Sequence, residues 1–197
     1  MTVPEDSSQL GLVGRAQRGD ADAFARLVSS HLDSAWRFVR AIGGDRVDVD
    51  DVVQEAFVLV WRDLPRLRDP GSFEPWLRAV LVNATRHAIR RTHGVRLIPI
   101  AVAAEGSGPP GRAQTIRPED VADGGVELGD SVAGRDRLRR AFGRLSIDER
   151  TVLALRYFEG YPVERIATII ERPIGTVKSR LHSARSALRV ALAAEDR

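Results

Sequence analysis

Residues 161–185 read Tyr161-Pro-Val-Glu-Arg-Ile-Ala-Thr-Ile-Ile-Glu-Arg-Pro-Ile-Gly-Thr-Val-Lys-Ser-Arg-Leu-His-Ser-Ala-Arg185. Val163, Ile166, Ala167 and Ile170 recur at helical spacing and give a short first helix one apolar side. Ala167 supplies the small side chain that two closely crossing helices require. The turn Glu171-Arg172-Pro173 follows, and a second helix then sets Val177, Leu181, Ala184 and Leu188 inward. A small residue, a tight turn and a basic second helix in that order read as a helix-turn-helix. Such a second helix enters the major groove with its N-terminal residues near base edges. Thr176 stands where a hydroxyl and free backbone N–H groups can hold a phosphate. Lys178, Ser179, His182 and Ser183 fall on the exposed side, within reach of base edges or backbone. Residues 174–190 carry Lys178, Arg180, Arg185 and Arg189 and no acidic residue. A solvated basic helix closing a bundle would account for those charges, but not for the small residue and the turn that come with them.

Charge along the chain agrees with an anionic partner. The net charge of +3 hides an uneven distribution. Residues 1–104 hold 14 basic and 13 acidic side chains, residues 105–134 hold 2 and 6, and residues 135–197 hold 14 and 8. A basic C-terminal block behind an acidic spacer points to nucleic acid. Every basic residue but Lys178 is arginine, a bias that a GC-rich genome explains and that carries no mechanistic weight. There is no cysteine, which excludes disulfides, thiolate metal sites and cysteine nucleophiles. The histidines His31, His87, His93 and His182 are scattered without ligand-like spacing. No apolar run is long enough to span a bilayer, and the first ten residues do not resemble a signal peptide. Neither a Gly-rich phosphate loop nor a nucleophile motif is present. The expectation is a cytoplasmic protein that is not an enzyme and needs no cofactor or metal.

Upstream, the pattern stays helical. Residues 10–41 read as helix broken near Gly19-Asp20, with Asp20 capping the second piece. There Phe24, Leu27, Val28, Leu32, Ala35 and Val39 form one apolar stripe that Ile42 continues. Asp48 is the expected N-cap of a helix over about 49–63 that Pro65 stops, and another helix runs to Arg91. From 95 to about 132 periodicity fails among many glycines and prolines, so a mobile linker, open to proteolysis at Arg112 or Arg117, is expected. Helical patterning returns at about 135–145, 148–158, 162–170 and 174–193. The expected fold is all-α: two small helical domains, an N-terminal bundle over 8–94 and a C-terminal helix-turn-helix over 135–192, joined by a flexible linker over 95–134.

Two N-terminal motifs carry further chemistry. Asp48-Val-Asp-Asp-Val-Val-Gln-Glu-Ala-Phe57 sets Asp51, Gln54, Glu55 and Val58 on one helix face, with Val52, Val53, Ala56 and Val60 opposite together with the Phe57 and Trp61 rings. Acids suit a helix N-terminus through its dipole. Asp51 and Glu55, however, are like charges one turn apart, which a basic partner surface explains better. Capping and partner binding are both open on this evidence. In the second motif, Phe73, Trp76, Asn83, Arg86, Arg90 and Arg91 combine aromatic, amide and basic groups, a set suited to single-stranded DNA. Trp76 and Phe73, however, are residue types more often found in a core than as a stacking platform.

The order of these motifs, an acidic DxxQE helix, an FxxWLxxxxxN helix ending in Arg-Arg, an irregular linker and GTVKSRLHxAR, resembles the sigma-70 family in its extracytoplasmic-function (ECF) subgroup. The resemblance implies an alternative sigma factor that directs core RNA polymerase to promoters. It implies that Asp51, Gln54 and Glu55 bind the clamp helices of the polymerase largest subunit. Residues 64–73 and the helix bearing Trp76, Asn83, Arg86, Arg90 and Arg91 would melt and read the minus-ten element, with Asn83 near a flipped base. Thr176, Lys178, Ser179, Arg180, His182, Ser183 and Arg185 would read the minus-thirty-five element. The linker would thread towards the polymerase active site, and an anti-sigma factor is a possible partner. The chain departs from the family pattern at His87, where Asp is usual, at Ser183, where a larger group is common, and in its longer linker. The competing function is a helix-turn-helix regulator that acts without core polymerase.

Overall fold

The computed structural model describes residues 8–92 and 132–195. In the first stretch lie α1 (Gln9–Gln17), α2 (Ala21–Gly43), α3 (Val49–Asp63) and α4 (Phe73–Thr92). In the second lie α5 (Val132–Gly143), α6 (Ile147–Leu153), α7 (Val163–Ile169) and α8 (Ile174–Glu195). No strand occurs among the described residues. The expected linker, with Arg112 and Arg117, lies outside them.

The breaks fall where local chemistry places them. The Asp20 carboxylate accepts from the Ala23 N–H at 3.0 Å and holds α2 at its start, while Gly19, at φ +89°, lets α1 end. That N–H bond, and then the Arg15 guanidinium, lower the Asp20 pKa. The Asp48 carboxylate accepts from the N–H groups of Asp50 and Asp51 at 3.0 and 3.2 Å and starts α3. Pro65 turns the chain out of α3 through the single 3-10 turn Leu64–Arg66. Ser146 and Glu149 satisfy each other's backbone N–H groups and start α6. Beyond α6 the chain widens into a π turn, Ala154–Phe158, rather than continuing as α-helix.

α2 is the spine of the N-terminal unit, packed by α1, α3 and α4 around Leu27, Phe38, Ile42, Val52, Phe73 and Leu77, all buried. The expected stripe on α2 holds at Leu27, Ala35, Val39 and Ile42. It fails at Leu32, which is 44% exposed and lines an open apolar groove between α2 and α3. In the C-terminal unit α5, α6 and α7 pack on α8 around Ala141, Leu155, Ile166, Val177 and Ala184. The two units also touch: α2 meets α6 and the π turn, and α4 meets α7. Gly44 sits at that seam with φ +63°, and a Cβ there would lie 2.7 Å from the Arg150 guanidinium, so the close approach depends on glycine.

Candidate nucleic-acid interface

α7, a four-residue connection over 170–173 and α8 form the helix-turn-helix that the sequence predicts. The Arg172 N–H donates to the Ala167 carbonyl at 3.0 Å and the Val177 N–H to the Pro173 carbonyl at 3.1 Å, so one helix closes as the other opens. Glu171 carries the reversal at φ 53°, a left-handed conformation adopted without glycine. On α8, Val177 and Ala184 are buried, while Lys178, Ser179, His182 and Ser183 are exposed, His182 at the edge of the cleft between the units. Thr176 is half-buried near the start of α8, and its carbonyl accepts from the Ser179 hydroxyl at 3.0 Å. Arg180 bends towards Asp148, 3.1 Å away. Arg185, like His182, lines the cleft between the units, and its buried Nε has no acceptor.

On α3 the acids divide into separate tasks. Asp48 caps the helix, and the Asp50 carboxylate accepts from the Trp36 indole N–H at 3.0 Å. Asp51 and Gln54 are left exposed with no capping duty. Glu55 is half-buried and lies 3.3 Å from Arg91 and 3.6 Å from His87. That arrangement offsets the Asp51–Glu55 repulsion from within the chain. Beside this face Phe24, Val28, Leu32, Trp36, Phe57 and Val58 line an apolar groove. Trp61 also lines it, 39% exposed, with its ring tilted against Phe24 at 4.7 Å between centroids.

On α4, Trp76 is half-buried and packs 6.2 Å from the Phe73 ring, so it serves the core as well as the surface. Asn83 is exposed and makes no hydrogen bond to the loop before the helix. Arg90 is exposed, Arg91 contacts Glu55, and Arg86 reaches across the seam to Asp148 at 2.9 Å.

Sequence reasoning missed three groups. Asp148 holds both Arg86 and Arg180, one side chain from each expected DNA reader. Arg78 is 7% exposed and donates to Glu159 at 2.7 Å and to the Ser34 hydroxyl at 3.0 Å. Arg150 is 1% exposed, and burial, then the neighbouring Arg46 charge, push its pKa down to about 10. The signal available for Arg78 and Arg150 was an arginine at a helix position whose neighbours are apolar. Nothing in the sequence spacing marks Asp148.

A family model described as Sigma-70 region 2 matches residues 27–94, and one described as Sigma-70, region 4 matches residues 135–188. The chain is 31% identical over 201 residues to the RNA polymerase sigma-H factor of Pseudomonas aeruginosa, covering 98% of this chain and 96% of that one. It is 31% identical to the ECF RNA polymerase sigma-E factor of Escherichia coli K12, over 90% of each chain. Among solved structures, CnrH in complex with the cytosolic domain of CnrY superposes with a TM-score of 0.61 at 24% identity, over 94% of this chain and 97% of that one. The sigma factor RpoE of Bartonella quintana, in complex with the anti-sigma factor NepR, superposes with a TM-score of 0.57 at 21% identity, over 86% and 96%. These two structures share the fold.

Proposed function

The chain belongs to the sigma-70 family, in its extracytoplasmic-function group, and on that premise we propose how its two helical units divide the work of an alternative sigma factor. The protein directs core RNA polymerase to specific promoters for transcription initiation. Sigma factors are not enzymes, and among the described residues no helix is long and apolar enough to cross a membrane. A cytoplasmic setting follows from the polymerase partner.

In this reading α3 is the polymerase face. Asp51 and Gln54 are free to meet the basic clamp helices of the largest subunit, and Glu55 joins them on release from Arg91. The neighbouring groove supplies apolar area to the same contact. α4 serves the minus-ten element: Asn83 takes an unpaired base, Trp76 offers ring edge, and Arg86, Arg90 and Arg91 hold strand phosphates. α8 serves the minus-thirty-five element through Thr176, Lys178, Ser179, Arg180, His182 and Ser183. Arg185 contributes once the units part, because it now faces the seam. An anti-sigma factor, a partner of the kind present with the Bartonella protein, belongs to the same proposal.

The observation that carries this reading is that one chain presents an acid-amide face on α3, with no structural duty for Asp51 and Gln54, and a basic helix-turn-helix as well. A regulator acting on DNA alone needs only the second. The test is capture of core polymerase by purified chain. Asp51→Arg with Gln54→Arg should abolish capture while leaving the thermal unfolding midpoint and duplex binding in place. Glu55 is left alone because its Arg91 contact would confuse the result. Undiminished capture by that variant would put the polymerase face elsewhere.

A further inference from the structure

Between the two units lies a cleft of about 2070 Å³. Its walls are apolar at Phe38, Leu138, Phe142, Leu153 and Leu188, and basic at Arg37, Arg46, Arg139, Arg150 and Arg189. The acids that line it, Asp45 and Glu159, are already bound to Arg40 and Arg78. Arg150 is 1% exposed, and its Nε and Nη2 have no hydrogen-bond partner. A buried guanidinium with two unpaired nitrogens is costly, and the charge that acts on it, Arg46, is of the same sign. Among the described residues, the cleft therefore holds no carboxylate that is not already paired. It is also larger than the roughly 300–1000 Å³ typical of small-molecule pockets, and so fits a length of polypeptide better than a metabolite.

We propose that the acidic segment of this chain from Glu119 to Asp130 occupies that cleft, its carboxylates meeting the arginines and its aliphatic side chains the apolar walls. The segment reads Glu-Asp-Val-Ala-Asp-Gly-Gly-Val-Glu-Leu-Gly-Asp and contains no basic residue. Val121, Val126 and Leu128 alternate with its five acids, which matches a site with both apolar and cationic walls. It ends two residues before α5 begins at Val132, and α5 itself contributes Leu138, Arg139 and Phe142 to the cleft. A tether that short gives an effective concentration in the millimolar range, well above what a separate acidic peptide meets. This inference concerns the free chain and stands independently of the polymerase reading.

Because the chain has no cysteine, Ala122→Cys allows a single nitroxide to be placed on the full-length protein. Backbone amide signals of Leu138, Phe142 and Leu188 should lose intensity relative to the reduced, diamagnetic label. Signals of α1, on the far side of the N-terminal unit, should keep theirs. The loss should disappear in two further variants, Arg37→Glu with Arg139→Glu and Arg189→Glu, and one with Glu119, Asp120, Asp123, Glu127 and Asp130 changed to their amides. All three arginines are exposed, so the first variant keeps its core. Full intensity at the cleft in the labelled protein overturns the proposal. So does a loss that survives both charge changes. A loss that also arises when spin-labelled chain is mixed with isotope-labelled, cysteine-free chain assigns the cleft to a second copy instead, and overturns it equally.

Discussion

His31 lies on α2 with 9% of its surface exposed and its ring 5.3 Å from the Phe73 ring. Burial is the main cause that lowers its pKa from the ordinary 6.5; Arg78 adds to the shift and Glu74 opposes it. The unfolded chain therefore binds a proton at His31 at higher pH than the folded one does. Above about 6.5 both states hold a neutral ring and nothing is lost. As pH falls below that value the unfolded state gains protons first, so stability declines until the folded value is passed. Denaturant titrations between pH 7.5 and 5 should show this decline, and His31→Gln should remove its His31 component. An unchanged pH slope in that variant would mean the ring is hydrated. Asn83 is the other residue with a separable role. Its exposed amide has no structural partner, so Asn83→Ala should leave folding, core capture and duplex binding intact while reducing open-complex formation. Normal permanganate reactivity of promoter thymines in that variant would remove it from the base pocket. The position of Asn83 was legible from spacing alone. The contact of Glu55 with Arg91 was not, because it joins residues 36 apart on different helices.

At the level of elements, the caps made the sequence readable. Asp20 and Asp48 each sit before an apolar-periodic run, and each starts a helix by accepting backbone N–H groups. Where periodicity misled, packing was the reason: Leu32 has helical spacing but lines an open groove between α2 and α3, and Trp36 in the same groove is 41% exposed. The widened π turn at Ala154–Phe158 has no local signature, since its register depends on how α6 meets α8. α8 gives the clearest element-scale prediction. Lys178 is exposed and Arg180 needs only to leave Asp148 to reach a phosphate. Lys178→Ala with Arg180→Ala should weaken duplex binding and lower the slope of log affinity against log salt by about one for each lost phosphate contact. An unaltered slope would place the duplex on another surface.

For the whole molecule, composition and the two patterned blocks were enough to give two helical units, but not their contact. Arg78 with Glu159, and Arg86 with Asp148, join residues 81 and 62 positions apart across the seam, Arg180 joins Asp148 from another helix of the same unit, and no periodicity encodes such pairs. Their consequence is functional. Elements at minus ten and minus thirty-five are separated by about 25 base pairs, or about 85 Å of duplex at 3.4 Å per step. Arg86 and Arg180 share one carboxylate here, so reading both elements at once requires the units to part. Two ion pairs cross the seam: part-buried Arg86–Asp148, worth about 1 kcal/mol, and buried Arg78–Glu159, whose loss costs about 3–5 kcal/mol. Polymerase and promoter together can supply far more. The central claim is that this chain gives core polymerase promoter specificity, and multi-round transcription on genomic fragments tests it most directly. Core polymerase with the chain should produce discrete transcripts from particular fragments that core alone does not make. Asp51→Arg with Gln54→Arg should abolish them. Identical transcripts with and without the chain, under conditions where another sigma factor is active on the same core, would contradict the account.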